Sequence, residues 1–159
     1  MMRTTLLSLA LAMGSLLPTA HATCWESGQG PTAIYRNPSV TDEFKTADIV
    51  VTGRTLNEHR ISTPDDPESY AWTIYTVQVL ETFKGPTQKT IRLRSENSSG
   101  RFPMDVGKTY LLFVSHSPTT ELAGAEHLPP DTIDNCGNSD DAQNAKSAIK
   151  AVKALSKTH

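Results

Sequence analysis

A glycine-rich string in the second half of the chain has the residue types of a phosphate-binding loop. Residues 100–109 read GRFPMDVGKT, whereas such a loop requires G-x-x-x-x-G-K-[ST]. Phe102 stands where the first glycine is needed. The string also leads into the apolar run 110–114, which predicts a strand, while a phosphate-binding loop leads into a helix. We therefore predict a turn with Gly107 at a special backbone angle, and no nucleotide site.

Ser115, His116 and Ser117 bring hydroxyl groups beside an imidazole, as a nucleophile and its base would require. Neighbours on a strand point to opposite faces, so they cannot form the hydrogen bond that such catalysis needs. The sequence also lacks a G-x-S-x-G elbow and a C-x-x-C pair. We predict no catalytic residue and no cofactor. An enzyme remains an alternative, and it would require His116 or another histidine to meet a carboxylate in a pocket.

Potential metal ligands are scattered through the sequence. The histidines His59, His116, His127 and His159 have no partner at ligand spacing, and there is no H-E-x-x-H motif. The acidic segment 65–68 lacks the alternating oxygen ligands of a calcium loop. We predict no metal site.

Residues 1–22 have the organisation of a cleaved signal peptide. Arg3 supplies a positive charge, residues 6–17 are apolar, and Ala20-His21-Ala22 supplies small residues before the cleavage site. The apolar stretch is shorter than the about 20 residues that span a bilayer, which argues against a retained anchor. We expect a mature chain that starts at Thr23 and is periplasmic or secreted. Lipidation of Cys24 is disfavoured, because Thr23 replaces the very small residue that normally precedes an acylated cysteine.

Cys24 and Cys136 are the two cysteines of the chain. Only one intramolecular pairing exists for two cysteines, and an oxidising compartment favours a disulfide. In the chain-entropy model such a long closed loop contributes roughly 4–5 kcal/mol. Two unpaired thiols are the alternative. A metal site is disfavoured, because neither cysteine has a second one at ligand spacing.

Length and charge bound the class of protein. Residues 23–159 fit one domain. The full chain has a formal net charge of −2, and the loss of Arg3 with the signal makes the mature part more negative. This balance gives no reason to expect nucleic acid or an anionic membrane surface as a partner.

Most of the mature chain reads as strands. We predict strands over 47–56, 70–83, 89–94 and 110–114, with a bulge at Gly53 and with the last of these strands central. Loops are predicted over 57–69 and 117–131, and Ile133 is expected to pair briefly at an edge. The second strand exceeds the usual length of about 5–6 residues, which suggests a long, coiled strand shared by two sheet faces.

The C-terminus instead has helical periodicity. Apolar residues recur at 3–4 residue spacing from Ala142 to Leu155, with lysines between them. We predict an amphipathic helix over about 140–156 that covers or plugs the sheet, with Ser139, Asp140 or Asp141 as its N-cap. A membrane-surface helix would carry bulkier apolar residues than alanine.

Three strings resemble netrin-like domains, the group that includes the tissue inhibitors of metalloproteinases. Residues 44–53 (FKTADIVVTG) are similar to the first strand of that group. Residues 75–85 (YTVQVLETFKG) are similar to its long second strand, and 106–113 (VGKTYLLF) to a later strand. The order and rough spacing agree from residue 24 to about 150.

The resemblance implies a mainly β fold: a five-stranded OB-like barrel with a C-terminal amphipathic helix packed on it. Such inhibitors insert their N-terminal segment into a metalloproteinase cleft, where an N-terminal cysteine chelates the catalytic zinc. They begin C-x-C, whereas Cys24 is here followed by Trp25 and Glu26, and Thr23 precedes it. The fold therefore carries over better than the inhibition.

These observations predict an exported, non-enzymatic protein-binding module whose partner is another exported protein. Thr23, Cys24 and Trp25 are the candidate contact residues, helped by nearby loops such as 57–69. Trp25 would be the anchor, since a large ring on a pinned segment suits an interface centre. The alternative for Trp25 is packing over the disulfide.

Two other functions remain as alternatives to this prediction. The first is a metalloproteinase inhibitor that acts through its N-terminal segment. The second is oligonucleotide binding, because Arg92 and Arg94 share one strand face, although the negative charge and the export signal oppose it.

Overall fold

A computed structural model describes residues 37–63, 69–117 and 128–158. The elements in these ranges are α1 (Val40–Thr46), β1 (Ile49–Ser62), β2 (Tyr70–Lys84), β3 (Thr90–Glu96), β4 (Thr109–His116), β5 (Asp131–Thr132), β6 (Asp140–Asp141) and α2 (Lys146–Leu155). The predicted signal peptide and the candidate contact residues Thr23, Cys24 and Trp25 lie outside the described residues.

Five strands form a ring. Their order is β1-β2-β3-β5-β4, and β4 pairs in turn with β1. The neighbours in the ring are antiparallel except for β3 and β5, which are parallel. The short β6 adds to β4 at Tyr110 and Leu111. The predicted mainly β fold with five strands is confirmed.

The ring buries side chains on both faces of β1 and β4. Ile49 and Val51 face the interior cluster, whereas Val50 between them faces a second cluster beneath the helices. Leu111 and Leu112 divide between the same two clusters. A strand covered on both faces reads as a continuous apolar run rather than an alternating one. This explains the runs at 49–51 and 110–114.

The two helices lie side by side over the outer cluster. α1 begins after Ser39, whose Oγ accepts a hydrogen bond of 3.1 Å from the Asp42 N–H. α2 buries Val152 completely and packs Ala148 and Ile149 on the same cluster. Burying a valine side chain contributes about 1.5–3 kcal/mol. The helix therefore covers the ring from outside, as predicted.

The start of α2 differs from the prediction. The helix begins at Lys146 rather than at about 140, and Asp140–Asp141 forms β6. The Ser139 hydroxyl is not an N-cap, because it accepts a hydrogen bond of 2.9 Å from the Phe113 N–H. The N-cap is Ala145, which makes no side-chain capping bond. Asp140 and Asp141 therefore pair with the edge of β4 and do not belong to the helix.

The predicted loop over 57–69 is wrong for its first part. β1 continues to Ser62 and pairs with β2 from Asn57↔Thr76 to Ser62↔Tyr70. Most of these β1 side chains are exposed, so they carry no alternating hydrophobic signal. The strand persists because β2 supplies its main-chain partners.

Two glycine predictions are confirmed. The β1–β2 register shifts at Thr52/Gly53, and a Cβ at Gly53 would lie 2.4 Å from Val77 Cγ1. Gly107 has a φ of 88° and forms the turn before β4, as a residue without a Cβ can.

The brief pairing predicted at Ile133 is present, but it does not lie at a sheet edge. The short strand is Asp131–Thr132, and it lies between β3 and β4, where it closes the ring. Ile133 itself is buried and donates a hydrogen bond of 3.0 Å to the Arg94 carbonyl. Two residues cannot signal a strand locally, so only tertiary pairing places β5.

Candidate functional site

The end of β1 and the start of β2 form an arm, which we define as residues 57–62 and 70–76. β1 pairs with β4 only from Ile49 to Arg54. Beyond that point its described sheet partner is β2 alone. β2 in turn pairs with β3 along its other edge. The arm thus extends one side of the ring past the end of β4.

Tyr70 connects the arm to the turn at 97–101. The Arg101 guanidinium donates to the Tyr70 hydroxyl, and Asn97 Nδ2 donates to the Tyr70 carbonyl at 2.9 Å. On the other side, the Arg60 guanidinium lies 4.8 Å from the centre of the Tyr70 ring, within the range of a cation–π contact. The hydroxyl group and the ring face of this tyrosine therefore each contact an arginine.

The turn at 97–101 in turn holds the loop that carries Cys136. Arg101 forms an isolated bridge with Asp134, and the Asn135 N–H donates to the Gly100 carbonyl at 2.9 Å. Asp134 Oδ1 accepts from the Cys136 N–H at 2.8 Å. Cys136 is half-buried. We call residues 97–101 and 134–138 together the Cys136 rim.

Glu43 of α1 holds the far end of the Cys136 rim. Its carboxylate accepts hydrogen bonds from both the main-chain and the side-chain nitrogen of Asn138, the former at 2.7 Å. The Asn138 side chain also donates to the Pro38 carbonyl at 3.0 Å. The chain therefore emerges from the N-terminal segment beside Asn138, two residues along from Cys136.

Burial perturbs the Glu43 carboxyl. Desolvation raises its pKa above the ordinary value of 4.5, and the two hydrogen bonds from Asn138 oppose that rise. Asp134 adds a smaller upward contribution through its like charge. This half-buried carboxylate joins two segments that are distant in the sequence, as a polar connection inside the rim.

Among the sequence-predicted site residues, Cys136 is the one within the described ranges. Thr23, Cys24 and Trp25 lie outside them, so the disulfide between Cys24 and Cys136 stays a prediction. The structure places Pro38 beside the Cys136 rim, through its hydrogen bond from Asn138. Arg101 of the same rim contacts Tyr70, the first residue of β2 in the arm.

An open cleft of about 440 Å³ lies under α1 on the helix-covered side. Its walls include Phe44, Phe83 and Lys84. The Lys84 ammonium already donates to the carbonyls of Phe44, Lys45 and Ala47 at 2.6–2.9 Å, which caps the C-terminal end of α1. Because all three of its protons are used, this cation is structural and is not free to hold an anionic ligand.

His116 does meet a carboxylate, as the enzyme alternative required. Its imidazole Nδ1 lies 3.0 Å from Asp131 Oδ1, and its main-chain N–H donates to the Asp48 carboxylate at 2.6 Å. The imidazole is about half exposed, at 53%, and it does not line the cleft. No hydrogen bond joins it to a serine hydroxyl in the described part of the chain. Among the described residues, His116 therefore has the carboxylate partner of a catalytic base, but no hydrogen-bonded hydroxyl beside it.

The two arginines on β3 have different environments. Arg94 is 3% exposed, and its guanidinium donates to the carbonyls of Pro129 and Ser117 at 2.6 and 2.9 Å. Trp72 lies against it, 5.6 Å from the guanidinium carbon to the ring centre. Arg92 is exposed. Arg94 therefore ties two chain segments together and cannot contact a nucleic acid phosphate.

The described ranges contain neither a metal-ligand cluster nor a membrane-spanning helix. No three His, Cys, Asp or Glu side chains there are close enough to hold a metal ion. None of the helices within 37–63, 69–117 and 128–158 has the length and apolar character to cross a bilayer.

Sequence reasoning missed Glu43, Asn138 and Tyr70. Neither Glu43 nor Asn138 belongs to a motif in the sequence. Their pairing joins positions 95 residues apart, so no local pattern could indicate it. Arg101 had a weak signal as the cation that ends a polar loop.

Comparison with known proteins adds no relative. The chain matches no family model, and no curated protein sequence matches it.

Proposed function

We propose that this chain is an exported, non-enzymatic protein-binding module of netrin-like fold, which contacts another exported protein through the N-terminal segment around Thr23, Cys24 and Trp25. The proposal combines the signal-like residues 1–22 with the five-stranded ring. It also uses the three strings that resemble netrin-like domains.

The observation that carries the proposal is the position of Pro38 beside the Cys136 rim. Asn138 donates to Pro38, and Cys136 is two residues away in the same loop. A disulfide from Cys24 to Cys136 would therefore place Cys24 close to Pro38, where the chain enters the domain. The segment between Cys24 and Pro38 then becomes a short loop with both ends held at one rim.

A loop held in this way suits protein recognition, because its ordering cost is partly met before the partner arrives. Trp25 follows directly after the anchored Cys24 and is the residue type most enriched at interface centres. Within the described residues, His116 has a carboxylate partner but no hydrogen bond to a hydroxyl, and Arg94 is buried. Neither residue therefore supports an enzymatic or nucleic-acid-binding role over the proposed one.

The test is site-specific photo-cross-linking in the exporting cell. A photoreactive phenylalanine analogue replaces Trp25 in the full precursor, and the matched control carries it at Lys150 on the exposed face of α2. We expect a discrete protein adduct from position 25 that is lost in the Cys136→Ala variant. The proposal would be wrong if the probe at position 25 formed no protein adduct, or if the probe at position 150 formed the same adduct equally well.

The same experiment separates the metalloproteinase-inhibitor alternative. An adduct to a zinc metalloproteinase, with inhibition abolished by one extra alanine before the mature N-terminus, would assign that function. Intact mass with and without reduction identifies the first residue and reports whether the two cysteines are paired.

A further inference from the structure

The outer edge of the arm is a strand edge that the described sheet leaves unpaired. β1–β4 pairing ends at Arg54↔Thr109. Thr55 is still occupied, because its N–H donates to the Lys108 carbonyl and its carbonyl accepts from the Gly107 N–H. From Asn57 to Ser62, no strand among the described residues pairs on this side. These residues are exposed or half-buried.

The hydrogen bonds of the neighbouring strand pairs show to which side the N–H and C=O groups of each β1 residue point. The Ala71 carbonyl and the Val79 N–H both bond toward β3. In an antiparallel ladder, alternate residues direct their main-chain groups to the same neighbour. The odd-numbered residues of β2 between these two therefore bond to β3, and Trp72, Ile74 and Thr76 bond to β1.

The β1 partners of those three residues are Ile61, His59 and Asn57. The main chains of these odd-numbered β1 residues thus face β2. The residues between them, Glu58 and Arg60, direct their N–H and C=O groups to the open side. Such a row of unpaired groups is a template for another strand.

The side chains on these two residues are oppositely charged. Glu58 and Arg60 flank His59 and already form an ion pair of 2.8 Å within the chain. Their exposures are 29% and 60%. Neither proline nor a register shift interrupts the ladder from Asn57 to Ile61, so the edge lacks two of the devices that usually block pairing.

We propose that two copies of this chain form a symmetric dimer by antiparallel pairing of their β1 edges about His59. A two-fold axis at His59 sets Glu58 opposite the partner's Arg60, and Arg60 opposite the partner's Glu58. Both pairs have outward main-chain groups, so each forms two hydrogen bonds across the interface. The edge is thus self-complementary in hydrogen bonding and in charge.

A second copy fits this edge better than an unrelated strand because of that symmetry. The charges read E-H-R in one direction and R-H-E in the other. Opposite charges facing each other stabilise an antiparallel pair, and like charges destabilise it. In a symmetric dimer the same edge of both copies is paired, so no free edge remains to which further copies could add. The small contact implies a reversible dimer.

The test is sedimentation of the mature protein and its charge variants over a range of concentrations at low salt. We expect a concentration-dependent dimer for the unmodified protein. Glu58→Arg sets a second guanidinium against the partner's Arg60, and Arg60→Glu sets two carboxylates face to face. Each single variant should weaken dimerisation by about tenfold or more.

Mixing supplies the decisive control. A one-to-one mixture of the two single variants pairs a doubly basic edge with a doubly acidic one, so it should form heterodimers as readily as the unmodified protein forms homodimers. The double variant E58R/R60E should also regain the dimer. A monomeric unmodified protein at high concentration, or single variants that dimerise normally, would overturn the proposal.

A main-chain variant tests the edge without relying on charge alone. Proline at position 60 removes an outward N–H, whereas proline at position 59 removes an N–H that faces β2. Arg60→Pro should abolish the dimer and lower the unfolding temperature only slightly, through loss of the exposed contacts of Arg60 with Tyr70 and Glu58. His59→Pro should lower the unfolding temperature. A dimer that persists in Arg60→Pro would exclude pairing through this edge.

Discussion

Glu43 accepts two hydrogen bonds from Asn138, one from the main chain and one from the side chain, and this contact joins α1 to the loop of Cys136. The same asparagine holds the Pro38 carbonyl. Glu43 therefore holds the asparagine that contacts Pro38, the point at which the described chain begins its path into α1.

Stability should depend on pH through this carboxyl. Burial raises the pKa of Glu43 above 4.5, so between the unfolded and folded values the native state binds more protons. The contribution of Glu43 to the free energy of unfolding therefore falls as pH rises through this window. Glu43→Gln keeps an acceptor without the charge. Its stability relative to the unmodified protein should rise with pH above 4.5, as measured by urea unfolding.

Glu43→Ala is the matched control for that experiment. It removes the acceptor from Asn138 and should cost about 1–3 kcal/mol, including at pH values where the carboxyl is protonated. A difference between Glu43→Gln and the unmodified protein that does not change with pH would contradict the assignment of the raised pKa.

The two arginines of β3 should respond differently to loss of charge. Arg94→Met leaves the carbonyls of Pro129 and Ser117 without their donor, which should lower the free energy of unfolding by about 2 kcal/mol. Arg92→Met, on the same strand face but exposed, should change it by less than about 0.5 kcal/mol. Equal effects in urea unfolding would show that the Arg94 contacts contribute nothing.

Lys84 should stabilise the C-terminal end of α1. Lys84→Met removes the donor to three carbonyls and should cost about 1–3 kcal/mol in unfolding free energy. Lys89→Met removes an exposed ammonium just before β3 and is the control, with little expected change. If both variants unfold at the same denaturant concentration, the capping role of Lys84 is wrong.

Gly85 and Gly107 should differ in their tolerance of alanine, because they share a backbone angle but not the space around it. Gly85 has a φ of 87° and leaves 2.7 Å between an added Cβ and the Asp48 carbonyl oxygen, whereas Gly107 has a φ of 88° with open space. Alanine at 107 should cost about 1–2 kcal/mol for the left-handed backbone alone. Alanine at 85 should cost more, because the clash is added. Thermal unfolding of both variants checks this order.

Gly53→Ala tests the close approach of β1 and β2 without backbone strain. An added Cβ would lie 2.4 Å from Val77 Cγ1, which should cost about 1–3 kcal/mol through overpacking. In a Val77→Ala background, where that methyl group is absent, Gly53→Ala should cost less than it does in the unmodified protein, as measured by thermal unfolding. An equal cost in both backgrounds would mean that the clash at Val77 is not the cause.

The sequence by itself determined the elements whose signal is local. The β-branched run at 49–51, the continuous apolar run at 110–114 and the helical spacing around Val152 each reflect burial along one segment. The spacing of apolar residues, with a period of two in a strand or 3.6 in a helix, shows which face of the segment is buried. It can be read from the sequence even when the packing partner is not known.

Only the tertiary structure decided the features that depend on a distant partner. Residues 57–62 carry no apolar alternation and became strand because β2 supplies their hydrogen bonds. Arg92 and Arg94 look alike in sequence, yet Arg94 alone is buried because the carbonyls of Ser117 and Pro129 reach it. The pairing of Glu43 with Asn138 joins residues far apart in the chain. The physical reason is that hydrogen bonds between distant segments leave no periodic mark on either segment.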